Sequence, residues 1–199
     1  MRLFFSPNSP YARKARIVIH EIGLTPRVEC VHVQLPADAA FRAVNPLGKI
    51  PTLLLDDGLA IYDSPVICEY LNTLGHGKFF PRADAPRWRA LTLQALGDGL
   101  ADAVVRRVQE MRVAEPRRSD DVIRRQTTAI ESSFAALDQG CANFSVDPTI
   151  GEISVCCAIG YLDLRAPHDG WRDRYRHLAR WVDAFSRRPS VDATKPPPA

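Results

Sequence analysis

Apolar positions along the first 75 residues alternate between two periods. Arg2 to Phe5 is a short apolar run that predicts a strand. Tyr11, Ala15, Val18, Ile19 and Ile22 recur at helical spacing and predict a helix from Pro10 to Ile22, with Gly23 placed to end it. Val28 to Val33 is β-branched and reads as a strand. Asp38 to Val44 is a short helix. Thr52 to Leu55 and Leu59 to Tyr62 flank Asp56-Asp57-Gly58, a hairpin turn. Ser64 to Leu74 is a second clear helix that Gly75 stops. The order is therefore β-α-β-α-β-β-α, and its strand-helix-strand opening implies a right-handed parallel crossover.

After a linker over 76–86, rich in Gly and Pro, the period is helical throughout. Leu93, Leu96, Leu100, Val104, Val108 and Met111 line one stripe of a helix over 87–111. Ser119 opens the next, with Asp120 and Asp121 in its first turn and Ile123, Ile130, Phe134 and Leu137 as its stripe. Thr149-Ile150-Gly151-Glu152 has the form of a capping box. It introduces Ile153, Cys156, Cys157, Gly160, Tyr161 and Leu164, a face with almost no charge, so this helix is expected at the buried centre of the second half. Tyr175, Leu178, Trp181, Val182 and Phe185 give a last amphipathic helix, and the tail from Lys195 to Ala199 is expected to be loose.

Composition narrows the function. With 46% hydrophobic and 25% charged residues the chain is an ordinary globular protein. It has no apolar run long enough for a membrane span. A net charge of +3 and scattered arginine pairs argue against a nucleic-acid binder. The five cysteines, Cys30, Cys68, Cys141, Cys156 and Cys157, form no Cys-x-x-Cys, and the five histidines show no metal-ligand spacing. No metal is expected, and the chain reads as cytoplasmic and reduced.

Two phrases carry the candidate chemistry. One is Phe5-Ser6-Pro7-Asn8-Ser9-Pro10-Tyr11. The other is Asn45-Pro46-Leu47-Gly48-Lys49-Ile50-Pro51-Thr52-Leu53, followed by Tyr62-Asp63-Ser64-Pro65. In Ser9-Pro10 and Ser64-Pro65 a hydroxyl precedes a proline that can open a helix. Helix N-termini attract anions. A cis bond at Ile50-Pro51 would turn the backbone outward as a strand-like edge between them. Two anion sites beside an exposed edge suit a small, extended, multiply charged peptide. Ser9 and Ser64 read equally as helix caps, and Asp63 as a solvated residue before a helix.

Together these phrases, the Asp63-Ser64 pair with Glu69-Tyr70-Leu71, and the helical second half with its Thr-x-x-Glu box make the whole chain resemble the glutathione S-transferase family, in its bacterial-like, serine-bearing form. The resemblance implies an α/β thioredoxin-like, glutathione-binding domain over 1–80 and an all-α helical domain over 87–199. It also implies a homodimer and an electrophile pocket between the domains.

The family's roles then fall on residues of this chain. Ser9 matches the serine or cysteine that serves the glutathione sulfur, with Ser6, Asn8 or a backbone N–H as alternatives. Ile50, before Pro51, matches the residue whose backbone pairs with the cysteinyl part. Asp63 and Ser64 match the pair that holds the γ-glutamyl end, and Lys49 faces the glycine carboxylate. Tyr11, Asp102, Arg106 and Tyr161 are pocket candidates from helix position alone. Two departures stand out. Phe4 and Phe5 occupy the place of the early tyrosine that some classes use, and Pro148 precedes the capping Thr149 where a bulky apolar staple is frequent. The implied activity is a detoxifying transferase that attacks a small electrophile with glutathione thiolate. The alternatives are a non-catalytic interaction protein and a glutathione-dependent isomerase or reductase on the same scaffold.

Overall fold

The computed structural model describes residues 1–34, 36–75 and 77–197. Its elements are β1 (Arg2–Phe5), α1 (Pro10–Glu21), β2 (Glu29–His32), α2 (Ala39–Val44), β3 (Thr52–Leu54), β4 (Ala60–Ile61) and α3 (Ser64–Leu74). Then come α4 (Asp84–Met111), α5 (Asp120–Gly140), α6 (Ile150–Arg165), α7 (Trp171–Arg174), α8 (Arg176–Phe185) and α9 (Pro189–Asp192). The first half thus has the β-α-β-α-β-β-α order that its periodicity dictates. It forms a four-stranded sheet, β2-β1-β3-β4, in which β1 and β2 are parallel and the other pairs antiparallel.

Local chemistry sets the helix ends. Ser9 caps α1 by accepting from the Ala12 N–H at 3.2 Å, and Asp38 caps α2 by accepting from Phe41 at 2.8 Å. Ser119 caps α5, and the capping box of α6 is complete, with Glu152 accepting from the Thr149 N–H at 2.9 Å. α3 keeps its expected limits, whereas the start of α4 does not. α4 starts at Asp84, inside the expected linker. In α3, Ser64 is the first helical residue, and Asp63 holds the cap position without making a side-chain cap.

One core lies between the sheet, α1 and α3, built on Leu3, Ile17, Val18, Leu53, Ile67 and Leu71. It runs on into α6 through Ile150, Ile153, Cys156 and Cys157. The second half packs around α6, whose residues from Ile150 to Ile159 are all buried, as their apolar surround requires.

The buried face of α4 is not the leucine stripe alone. Ala90, Gly97, Ala101 and Val104 are buried on α4, which packs chiefly against α6, whereas Met111 is exposed. A Cβ at Gly97 would sit 2.7 Å from the backbone of Ser154, so the two helices meet only because that position is glycine. Within the tail, Pro196 lines a small cavity together with Pro10 and Arg13. Pro198 and Ala199 of the tail, and His76 of the linker, are outside the described residues.

Candidate functional site

Strand register collects the candidate residues. Phe4 pairs with Thr52, and Leu53 pairs with Ile61. β1 therefore ends, β3 begins and β4 ends at the same edge of the sheet. The segments Ser6–Ser9, Lys49–Pro51 and Tyr62–Ser64 leave the sheet together there. The N-termini of α1 and α3 open at that edge, and each directs free N–H groups and a positive dipole end into it.

The Asn45-to-Pro51 phrase is a built turn. Asn45 is fully buried; its Nδ2 donates to Lys49 O and Thr52 Oγ1, both at 2.9 Å, and its Oδ1 accepts from the Leu47 N–H. Gly48 lies at φ 59°, a conformation that side chains resist. The turn delivers Ile50 to a cis bond with Pro51, and the Tyr62–Asp63 bond is also cis. Lys49 is exposed.

Asp63 and Ser64 differ from a cap and its neighbour. The Asp63 carboxylate is exposed and makes no hydrogen bond or ion pair among the described residues. Ser64 is buried, and its hydroxyl likewise has no partner among them. Ser9 spends its Oγ lone pair on the Ala12 N–H, which leaves its own proton to donate. Asn8 Oδ1, beside it, is buried and has no partner among the described residues.

Three of the four pocket candidates gather near Ser9. The Tyr11 hydroxyl donates to Asp102, and burial together with that carboxylate raises the phenol well above its ordinary range, so it stays protonated. Tyr161 lines a very small cavity of about 10 Å³ with Asn8, Ser9, Pro10 and Arg13, and the Arg165 guanidinium lies 5.4 Å from the Tyr161 ring centre. Arg106 is exposed one turn after Asp102, and no contact joins it to the others.

Sequence reasoning passed over the charges beneath this site. Lys14 is 1% exposed and grips Asp98 with contacts of 2.6 and 2.7 Å, bracing α1 against α4. Burial raises the Asp98 carboxyl, and the Lys14 charge opposes that rise. Arg13, also buried, donates to Val191 O at 3.1 Å. Partners 84 and 178 positions away leave no local signal in the sequence.

Cys68, Cys141, Cys156 and Cys157 are buried in the core, whereas Cys30 is exposed. Burial pushes the Cys68 thiol up to about 12 and the Cys156 thiol to about 11, and it raises Cys157 as well. Such thiols do not ionise near neutrality. Among the described residues no group of three or more His, Cys, Asp or Glu is placed to hold a metal, and no helix is long and apolar enough to cross a membrane.

Residues 8–74 match the family model for the glutathione S-transferase N-terminal domain, and residues 120–184 that for its C-terminal domain. An Escherichia coli (strain K12) protein described as the uncharacterized GST-like protein YibF is 33% identical over the full length of both chains. A glutathione transferase family member from Pseudomonas fluorescens Pf-5, solved with bound glutathione, is 42% identical with a TM-score of 0.92, over 98% of each chain. A structure of a family member from the same organism, solved with bound S-(propanoic acid)-glutathione, is 41% identical with a TM-score of 0.91, over 99% of this chain and 100% of the other. The chain belongs to the glutathione S-transferase family.

Proposed function

We propose that the protein is a glutathione transferase of the bacterial-like, serine-bearing type, which binds glutathione at the common edge of β1, β3 and β4 and activates its thiol. The observation that carries the reading is the convergence, at that edge, of two helix N-termini with three groups that have no partner among the described residues. The groups are the Asp63 carboxylate, the Ser64 hydroxyl and the outward proton of Ser9. Asp63 takes the γ-glutamyl ammonium and Ser64 its carboxylate. The backbone of Ile50, held by Pro51, pairs with the cysteinyl unit, and Lys49 meets the glycine carboxylate. Tyr11, Asp102, Arg106 and Tyr161 border the electrophile. The Pseudomonas fluorescens relatives solved with glutathione and with a glutathione conjugate support this assignment. Residues 1–80 and 87–199 act as the two domains, and the protein works in the cytoplasm as a homodimer in detoxification.

The chemistry needs a thiolate, because a free thiol near pKa 8.5 is only a few per cent ionised at neutral pH. A hydrogen bond from Ser9 to the charged sulfur contributes about 1.5–3 kcal/mol and the end of α1 about 0.3–1 kcal/mol. Together they lower the thiol by roughly 1–3 units. Ser9 donates a hydrogen bond and need not act as a base. The bound thiolate then attacks the electrophile, with proximity supplying the rest.

A reductase working through a protein thiol is disfavoured, because Ser9 stands where that thiol would be needed and Cys68, Cys156 and Cys157 are buried. A non-catalytic interaction protein need not bind glutathione at all. The test is calorimetric titration with glutathione, paired with conjugation of a model electrophile measured against the uncatalysed rate. Binding with acceleration supports the transferase; binding without acceleration leaves a non-catalytic relative; absence of binding removes the reading.

A further inference from the structure

A groove on α7 and α8 holds more positive charge than its own lining neutralises. It has about 490 Å³ of room, open to solvent, and Arg172, Arg176, His177, Ala179, Arg180 and Asp183 line it. That room falls within the range of about 300–1,000 Å³ that small-molecule sites occupy. Three guanidiniums meet one carboxylate there. None of these residues belongs to the sheet edge that collects Ser9, Ile50 and Asp63.

Local sequence builds the groove. Arg172, Arg176 and Arg180 recur every four residues, and they keep a common face across the break between α7 and α8 at Tyr175. Leu178 and Val182 turn the opposite face of α8 into the core. The one carboxylate is already engaged. Arg172 donates through Nη1 to Asp183 at 2.8 Å and through Nη2 to Asp163 at 2.7 Å, which fixes one wall. Arg176 is exposed and makes no hydrogen bond or ion pair among the described residues. Arg180 Nη2 lies 2.9 Å from His177 Nδ1. A guanidinium can only donate, so Nδ1 accepts and the ring proton stands on Nε2. Arg176, Arg180 and His177 therefore offer the groove donors alone.

This donor set selects among anions. A carboxylate has two oxygens and fills one guanidinium fork. A phosphate monoester has three terminal oxygens and a second negative charge, enough for both guanidiniums and the imidazole N–H together. Ala179 is the one aliphatic side chain in the lining, so the organic part fits as a hydroxylated group rather than an apolar one. We propose that the groove is a binding site for a small soluble phosphate monoester of the sugar-phosphate kind, held by Arg176 and Arg180 with His177 donating from its ring.

Calorimetric titration at constant ionic strength tests this with glucose 6-phosphate, inorganic phosphate and glucose. Wild type should bind glucose 6-phosphate more tightly than inorganic phosphate and should not bind glucose. The double variant Arg176→Gln/Arg180→Gln, which changes two exposed side chains, should lose about tenfold or more in affinity for the ester, the scale of a lost charge-assisted contact. Arg112→Gln/Arg117→Gln removes the same charge from exposed positions between α4 and α5 and should bind as wild type does. Saturating glutathione should leave the titration unchanged. A wild type that binds neither phosphate, or binds both equally, overturns the proposal. So does an equal loss in the two double variants, which would reduce the effect to net charge, or full affinity in Arg176→Gln/Arg180→Gln. Displacement of the ester by glutathione would place it at the sheet edge and also overturns the proposal. None of these outcomes depends on whether the protein is a transferase.

Discussion

Arg188 donates both Nε and Nη2 to the Glu21 carboxylate, each at 3.0 Å, across 167 positions of the chain. Ser190 adds a contact of 2.6 Å and Lys78 one of 3.1 Å. The last residue of α1 is thereby clamped to the segment that opens α9 and to the connection between the halves.

That clamp makes stability depend on acid. Burial alone would raise the Glu21 carboxyl, but the hydrogen bonds from Arg188, Ser190 and Lys78 outweigh it and hold the group at about 2, against an ordinary 4.5. A carboxyl depressed in the folded state stabilises it above the unfolded pKa. The contribution fades as pH falls from about 4.5 towards about 2. Discounted for solvent around the two cationic partners, it amounts to about 1–2 kcal/mol. Urea unfolding of wild type and Glu21→Gln across this window should give curves that are well separated near neutrality and converge in acid. A separation that persists unchanged at the acid end would mean that the clamp is held by something other than ionised Glu21.

Asp63 provides a sharper test of the site. Its position before α3 invites the reading of a helix cap, yet it makes no cap bond. Asp63→Ala should therefore leave thermal stability within about 0.5 kcal/mol, the usual range for a surface change. It should weaken glutathione binding by about 2 kcal/mol, the scale of a lost charge-assisted contact. Calorimetry on the folded variant measures this. A variant that melts early but binds normally would return Asp63 to a structural role.

The sequence carried the sheet half of the site almost completely, because its signals are local. Proline and serine at helix starts, the Asn45-to-Pro51 turn and the Asp57-Gly58 hairpin each announce themselves within a few residues. Even Glu152 was legible, since a capping box spans only four positions. What the sequence concealed was long-range. Arg13, Lys14 and Glu21 carry no local signal on α1, and only folding sets them against Val191, Asp98 and Arg188. The limits of α3 were legible, whereas its cap was ambiguous, because a Ser-Pro step fits both a cap with its first helical residue and the first two helical residues. The stripe of Leu93, Leu96, Leu100, Val104 and Val108 on α4 packs into the core as its period predicts, but it does not report the whole contact. Its contact with α6 needed small residues, and a hydrophobic period does not report close approach.

The assembly prediction draws on the exposed surface. Val66 on α3 and Trp88 on α4 are 51% and 66% exposed, beside the Glu69–Arg87 ion pair that joins the two helices. Large apolar side chains left open on adjacent helices favour burial against a second copy, and isologous pairing is the commonest solution. Sedimentation at micromolar concentration should return twice the 22.2 kDa chain mass. Trp88→Glu should shift it towards the monomer without loss of helical signal. A wild-type protein that binds glutathione fully as a monomer would exclude the dimer.

Ser9 carries the mechanistic claim, and stability alone cannot judge it. Ser9→Ala removes the acceptor for the Ala12 N–H together with any donor to the sulfur. Loss of the cap costs about 1 kcal/mol by itself, so a lower melting temperature is expected under either role. The quantity that separates the roles is the pKa of bound glutathione, read from thiolate ultraviolet absorbance against pH. Without the Ser9 proton the bound thiol should titrate at least about one unit higher, the equivalent of one lost hydrogen bond to a charged atom. Glutathione affinity should change less, because the proposed contacts of Asp63, Ser64 and the Ile50 backbone are untouched by the substitution. Ser9→Cys should behave differently again. A thiol at a helix N-terminus is itself activated, and it should form a mixed disulfide with oxidised glutathione that mass spectrometry detects as an adduct. If Ser9→Ala leaves the titration where it was, the hydroxyl is only a cap, and Ser6, Asn8 or a backbone N–H at the start of α1 serves the sulfur instead.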